Sequence, residues 1–386
     1  IQNCWDARIK KDGDEWTCGF ILRKLKDGRT VLCIFDKGTT GLSGRKFETE
    51  DELSDILNNN QRGENLSYFL NSNWSKKSAE EGGNRGRGKT LFLIASQRKE
   101  IYFDSLRSSD NSYIFGRQFL DSDKQTKFQL HYDQMAKDQF GLWAEGEFSA
   151  IECPGTRIFI INPEESVIKA IKNGEILSFI SNTWWEIIKK YNAKIYIDDG
   201  DEKKYANLPQ WYEDMPEDEQ NKEYSLEHLK EDRAYVVKKL ILRYVAPDKD
   251  LPESIRGIAI QRSGMTIERL GAENLVREEG TKNIYGWVEM EKKLDEDMKR
   301  CEGPEHYDFK WNTKPAKYLK PFIQIKIREF AKELKIIGPD TEKKNQNQRL
   351  AEEGALRKLT PLFKNLKLFG KNLGGRNRKK ATRKEN

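Results

Sequence analysis

The chain has 386 residues, 36% apolar and 34% charged, with a formal net charge of +6. Its mean hydropathy is negative, and no apolar run approaches the ~18 residues that a membrane span needs, so the expectation is a well-solvated intracellular protein, cytoplasmic or at the nucleoid or nucleus, with no membrane contact. The length suits two domains and a tail. The five cysteines (Cys4, Cys18, Cys33, Cys153, Cys301) are odd in number, far apart and without a C-x-x-C pair, which argues against a disulfide framework or a zinc site. The charge is uneven: from Ala355 to Asn386 there are eleven Lys or Arg against one acid, Glu385.

The chain opens on Ile1 in what reads as an amphipathic helix, so the natural protein is expected to begin earlier. Ile1, Cys4 and Trp5 share one side of this helix, and Asn3 and Asp6 are surface neighbours three apart, able to share a cation. Residues from Trp16 onward read as a strand, a turn at Lys26-Asp27-Gly28, and a buried strand Thr30–Phe35. That strand ends in Asp36-Lys37-Gly38-Thr39-Thr40-Gly41. A carboxylate there can accept a hydrogen bond from a ligand amino group while the glycines leave room, although Asp and Gly also make ordinary turns.

Helical spacing follows between Phe47 and Leu70, then a polar loop leads to Gly82-Gly83-Asn84-Arg85-Gly86-Arg87-Gly88-Lys89-Thr90. Glycines this dense let backbone N–H groups converge on an anion, and Thr90–Ala95 reads as a helix whose N-terminus faces it. From Ile101 to Ile161 the period is two, which predicts consecutive antiparallel strands, the last entered at Pro154-Gly155-Thr156. Beyond Pro163 come helices near 166–172 and 182–191, a strand at Lys194–Ile197, and an acidic loop ending near Tyr224. A long strand at 233–244, a hairpin at 257–270, a strand at 284–290, a loop at 311–317 and a helix at 318–335 follow.

The glycine stretch fits two patterns. As Gly83-x-x-x-x-Gly88-Lys89-Thr90 it spells a P-loop, with Ile195-Tyr196-Ile197-Asp198-Asp199 as a candidate Walker-B strand; but a P-loop follows a buried strand, and Lys76-Lys77-Ser78-Ala79-Glu80-Glu81-Gly82 offers none. The other pattern is carried by four pieces in order. Asn3-Cys4-Trp5-Asp6-Ala7 resembles the N-box of the GHKL ATPase superfamily, Asp36-x-Gly38-x-x-Gly41 its first glycine box, Gly83–Lys89 its second, and Gly155-Thr156 its last motif.

This resemblance, to the gyrase B, MutL, MORC and heat-shock-chaperone branches, implies an α/β (α+β) sandwich with an antiparallel-rich sheet, followed by a transducer-like α/β domain and a basic tail. It implies residues 1–165, 166–337 and 338–386 as those three parts, and ATP and Mg²⁺ as cofactors. Asn3 would hold the metal, beside Asp6. Asp36 would accept the adenine amino group, aided by Thr156 and by space at Gly38 and Gly41. Gly83, Gly86, Arg87, Gly88 and Lys89 would cradle the phosphates, with Ser75 and Lys76 as lid contacts. The family's general base, a glutamate four residues before the N-box asparagine, would fall before Ile1, so hydrolysis is implied by the family alone. In the transducer loop Asn312–Lys317, which resembles that of MutL, Lys317 and then Lys314 are the candidates to reach the γ-phosphate. The expected function is an ATPase switch in which lid closure and dimerisation act on a macromolecular client, DNA bound through the basic tail in a MORC-like clamp of a defence or repair system. The rival is a protein-binding chaperone or scaffold without DNA.

Overall fold

The computed structural model describes residues 1–9, 16–59, 63–71, 88–123, 125–212, 220–249, 251–303 and 308–337. A short helix α1 (Gln2–Asp6) precedes the hairpin β1 (Thr17–Lys24) and β2 (Thr30–Lys37), whose register pairs Thr17 with Lys37 and Lys24 with Thr30. Helices α2 (Glu50–Asn59), α3 (Asn65–Leu70) and α4 (Gly88–Ala95) lead to β3 (Glu100–Leu106), β4 (Tyr113–Leu120) and β5 (Thr126–Tyr132). Helix α5 (Asp133–Ala144) follows, then β6 (Gly155–Ile161), α6 (Glu165–Lys172), α7 (Glu175–Tyr191), β7 (Lys194–Asp198) and β8 (Lys203–Tyr205). These strands form one sheet of order β5-β4-β3-β6-β2-β1-β7-β8, antiparallel except for β1 with β7.

Alternation along each strand assigns the two faces. Cys18, Leu32, Ile101, Ile160 and Ile195 point to one face, where they meet Trp5 of α1, Leu93 of α4 and Ile180, Trp184 and Ile187 of α7. Phe103 and Ile114 continue that face beneath α2 and α3. The opposite face (Val31, Cys33, Phe35, Phe115, Phe159) is covered by Ala136, Phe140 and Ala144 of α5. Helices therefore lie on both faces: α5 stands where only polar turns between strands were expected.

The second sheet holds β9 (Gln220–Leu229), β10 (Asp232–Tyr244), β11 (Gly257–Arg262), β12 (Met265–Leu270) and β13 (Ile284–Met290), in the order β12-β11-β13-β10-β9. One face packs on α8 (Ala272–Val276), α9 (Lys292–Met298) and α10 (Ala316–Glu333) through Ile258, Ile260, Val288, Leu319 and Ile323. On the other, Ala259, Tyr285 and Trp287 pack on Trp185 of α7 and on Tyr212.

Most expected elements are present, with four differences. The acidic stretch read as a loop up to Tyr224 ends in the edge strand β9, whose burial is confined to Tyr224 and Leu229. Helix α7 begins at Glu175 rather than 182. Ala316 and Lys317, read as loop, form the first turn of α10. Strands β7 and β8, which lie beyond the boundary expected at 165, complete the first sheet. Among the described residues no helix is long and apolar enough to cross a membrane.

Candidate functional site

The apolar β-branched and aromatic run Val31–Phe35 makes β2 a central strand, and its last inward-facing position is Asp36. In the register, Asp36 stands opposite Cys18 of β1 on one side and Thr156 of β6 on the other. The carboxylate is 8% exposed. Its Oδ1 accepts a hydrogen bond from the Thr39 hydroxyl and another, at 3.1 Å, from the Thr156 backbone N–H. Burial and the nearby Cys4 thiol push its pKa well above the usual carboxylate range, against the opposing pull of Thr39 and Thr156.

Glycines let the backbone close in tightly around it. Gly38 (φ +72°) donates its N–H to the Pro154 carbonyl at 3.0 Å, and Gly41 (φ +67°) lies so close to β3 that a Cβ there would sit 2.5 Å from the Leu106 carbonyl oxygen. A Cβ on Gly155 would stand 2.3 Å from the Asp36 carbonyl oxygen. Ser105 ties the corner together: it accepts from Leu42 N–H at 2.9 Å, donates to the Gly155 carbonyl at 2.8 Å, and lies 3.1 Å from the Thr156 hydroxyl.

Helix α1 is docked against this corner by its backbone. Ile9 N–H donates to the Gly38 carbonyl and Thr40 N–H to the Ala7 carbonyl, each at 2.9 Å. Trp16 donates from its indole to the Cys4 carbonyl at 3.1 Å, and Trp5 packs edge-on against Trp16 at 5.1 Å. The neighbouring Cys18 thiol and burial drive the Cys4 pKa far up, while the hydrogen bond with Cys4 holds that of Cys18 below its ordinary value. Asn3 is exposed on the outer side of α1, and Asp6 accepts a 2.8 Å hydrogen bond from Gln2. The described residues contain no cluster of three His, Cys, Asp or Glu suited to a metal. An exposed amide oxygen such as that of Asn3 fits a magnesium ion that takes most of its ligands from water and phosphates.

Helix α4 starts at Gly88, at the end of the glycine stretch. Its C-terminal end is fastened to the first sheet by Ser96, whose hydroxyl donates to the Ile161 carbonyl at 2.7 Å, and by Gln97 N–H to the Asn162 carbonyl at 3.0 Å. Its N-terminus therefore lies away from that end by about 12 Å of helix. Ser75, Lys76, Gly83, Gly86 and Arg87 lie outside the described residues, and Lys89 is described by its backbone alone.

The structure thus brings together Asp36, Gly38, Gly41 and Thr156, and docks beside them the helix α1 that carries Asn3 and Asp6. It does not bring Lys314 or Lys317 to them. Lys314 pairs with Asp232 at 2.8 Å, and the Lys317 amino group lies 5.0 Å from the Tyr318 ring. These contacts are with β10 and α10 of the second sheet and its helices. The candidate Walker-B carboxylates are engaged elsewhere: Asp198 binds Arg23 through both oxygens, and Asp199 caps the turn of Asp201 and Glu202 at 3.0 Å. Thr39 and Cys4, which touch Asp36, and Ser105, which touches Thr156, are the residues of this corner that sequence reading missed. Thr39 was within reach as the hydroxyl inside the glycine box; the other two depend on cross-strand register and helix docking. Cavities of about 590 and 340 Å³ lie away from this corner, the first beside α7 and β12, the second beneath α5.

No family model matches the sequence, and no curated protein matches it either. Among solved structures, the ATPase and transducer domains of DNA topoisomerase II from Balamuthia mandrillaris are similar in outline, at 11% identity and a TM-score of 0.43, over 86% of this chain and 83% of that one. The ATPase region of Saccharomyces cerevisiae topoisomerase II gives 9% identity and a TM-score of 0.39, over 83% of each chain. The 43K ATPase domain of Thermus thermophilus gyrase B, solved with an aminocoumarin, gives 10% identity and a TM-score of 0.30, over 86% of this chain and 87% of that one.

Proposed function

We propose that the chain is a GHKL-type ATPase module, a Mg²⁺-dependent switch that binds ATP at the Asp36 corner and passes lid closure to a macromolecular client. The observation that supports this reading is Asp36 itself. It is a buried carboxylate at a strand end with hydroxyl and amide neighbours, followed directly by the left-handed glycines Gly38 and Gly41. Such a group is poised to accept an exocyclic amino group, because a ligand N–H supplies what burial has removed.

In this reading Asp36 reads the adenine, with Thr39 and Thr156 fixing the orientation of its carboxylate. Gly38, Gly41 and Gly155 admit the ring. The N-terminus of α4 and the stretch from Gly83 to Lys89 hold the phosphates, with Ser75 and Lys76 in the lid. When bound, Mg²⁺ would neutralise phosphate charge, and Asn3 on α1 would supply a protein oxygen to it. The first unit runs through β8 and the second to Ile337. Lys317 or Lys314 would have to be carried toward the nucleotide by a change in how the two units pack, which is the conformational step that ATP drives. Homodimerisation, and DNA as the client held through the basic residues after Ala355, complete the proposal.

Titration calorimetry with Mg²⁺·ATP tests it on wild type and Asp36→Asn. The amide keeps the shape but presents an N–H where the adenine amino group needs an acceptor, so binding should vanish. An unchanged affinity in a folded variant would sink the assignment.

A further inference from the structure

Helix α5 covers the middle of its sheet face and leaves the end at β5 open. Ala136, Phe140 and Ala144 pack inward among Phe115 and Phe159, whereas no residue of the edge strand β5 is buried. The register sets side chains in rows across that open end. Arg117 of β4 stands opposite Tyr102 of β3 on one side and Gln129 of β5 on the other, and Phe115 stands opposite His131. These residues and Trp143 of α5 line a cavity of about 340 Å³, a volume at the low end for small-molecule sites.

The wall is aromatic: the Trp143 and Tyr102 rings stack with centroids 4.9 Å apart and planes 27° from parallel, and Phe115 is buried beside them. Among Lys, Arg, Asp and Glu only Arg117 lines the cavity, and its Nη2 donates to Glu100 at 2.8 Å. Charge is therefore settled there, but hydrogen bonding is not. Arg117 Nε and Trp143 Nε1 are buried donors without a partner, and no buried acceptor of this wall lacks one. Two such donors side by side are unusual, since an unmade hydrogen bond leaves each with its full desolvation cost.

We infer that this cavity is a second ligand site, on the sheet face opposite Asp36, for a small aromatic molecule whose polar end accepts hydrogen bonds and donates none: an aromatic carboxylate or carbonyl. The two unpaired donors select that end. A carboxylate or ketone oxygen has lone pairs for both and no N–H or O–H to leave stranded. Tyr102, Phe115 and Trp143 select the body, because flat apolar rings suit a planar partner. An ammonium would add donors to a wall that already has them in excess.

The test titrates the full chain, labelled with ¹⁵N-indole tryptophan, with benzoate, with acetophenone, and with benzylamine as a donor-only control. The Trp143 indole resonance is the one of nine that is missing from Trp143→Phe. Benzoate or acetophenone should bind and shift that resonance, and the two arms tell carboxylate from carbonyl. Affinity should fall about tenfold in Trp143→Phe, which keeps a ring but no N–H, and in Arg117→Lys, which keeps a cation for Glu100 but no Nε. Arg117→Lys keeps the test open if Trp143→Phe fails to fold. Binding of neither acceptor probe, equal binding of benzylamine, or binding indifferent to both substitutions would overturn the inference. Probe affinity should be the same in Asp36→Asn, so none of these outcomes depends on whether ATP binds at Asp36.

Discussion

Two buried carboxylates lie on opposite faces of the same sheet, and they are handled in opposite ways. Asp104 of β3, fully buried beneath α5, receives Arg157 through both oxygens and the Tyr113 hydroxyl at 2.8 Å. Burial pulls the Arg157 pKa down, but the hydrogen bonds and charge of Asp104 more than reverse this and leave it raised. Asp36, two strands away on the face covered by α1, α4 and α7, meets no cation of this kind among the described residues: it accepts from a threonine hydroxyl and one backbone N–H, and its pKa is raised by burial. The first carboxylate is finished within the chain; the second is left short of donors. A fold that places a complete ionic cluster on one face and an incomplete acceptor on the other separates holding itself together from binding something else.

The contrast breaks most sharply at Arg157. Arg157→Met should cost about 3–5 kcal/mol, because it strands Asp104 in the core without its counter-ion, and a urea midpoint would show it. Nucleotide affinity of the folded fraction should be unchanged. Gly41→Ala comes next. The left-handed backbone and the 2.5 Å approach to Leu106 predict strain of about 1–3 kcal/mol, and strain of that size at the mouth of the site corresponds to a loss of ATP affinity of roughly tenfold, measured by calorimetry.

Asp36 itself should shape the pH profile. Its folded-state pKa lies above the unfolded value of about 4, so between the two the folded chain binds more protons than the unfolded one. Stability then falls as pH rises through that window and levels off above the folded pKa. Denaturation midpoints across this range should slope downward for wild type relative to Asp36→Asn, while ATP affinity in wild type rises with pH over the same range. Parallel profiles would show that Asp36 is not the titrating group. The smallest effect is expected from Thr39→Val. Loss of one hydroxyl donor costs about 1 kcal/mol, moves the Asp36 window further up in pH, and weakens ATP binding only a few-fold.

Much of this corner was readable before any coordinates. An apolar strand that ends in Asp-x-Gly-x-x-Gly advertises both a buried carboxylate and a left-handed turn, and Gly155-Thr156 enters its strand where expected. The long helix expected at 318–335 is α10, displaced by two residues. What failed was the evidence of periodicity where tertiary pairing overrides it. In α5 the buried residues Ala136, Phe140 and Ala144 recur every four positions, but Met135 and Leu142 are exposed at 62% and 74% and blur the stripe. In β9 the charges of an edge strand read as a loop, because only pairing with β10 makes it extended. Cys4 reaches Asp36 from α1 and Ser105 reaches Thr156 from β3, proximities that no local pattern encodes.

The parity of β2 carries one more consequence. Phe35 and Asp36 are neighbours on opposite faces, and Phe35 stands across from Arg157, which in turn stands across from Asp104. Losing a single residue between the Asp27-Gly28 turn and Asp36 would move every later residue back by one position and to the other face, since a strand alternates with period two. Lys37 would then stand in the corner across from Thr156, and the carboxylate would arrive across from Arg157 on the face of Asp104, two acids competing for one guanidinium. For a gene drifting by insertion and deletion, the distance from the hairpin turn to the acid is thus as much a part of the binding site as the acid, and a one-codon loss there would strike recognition and the core together.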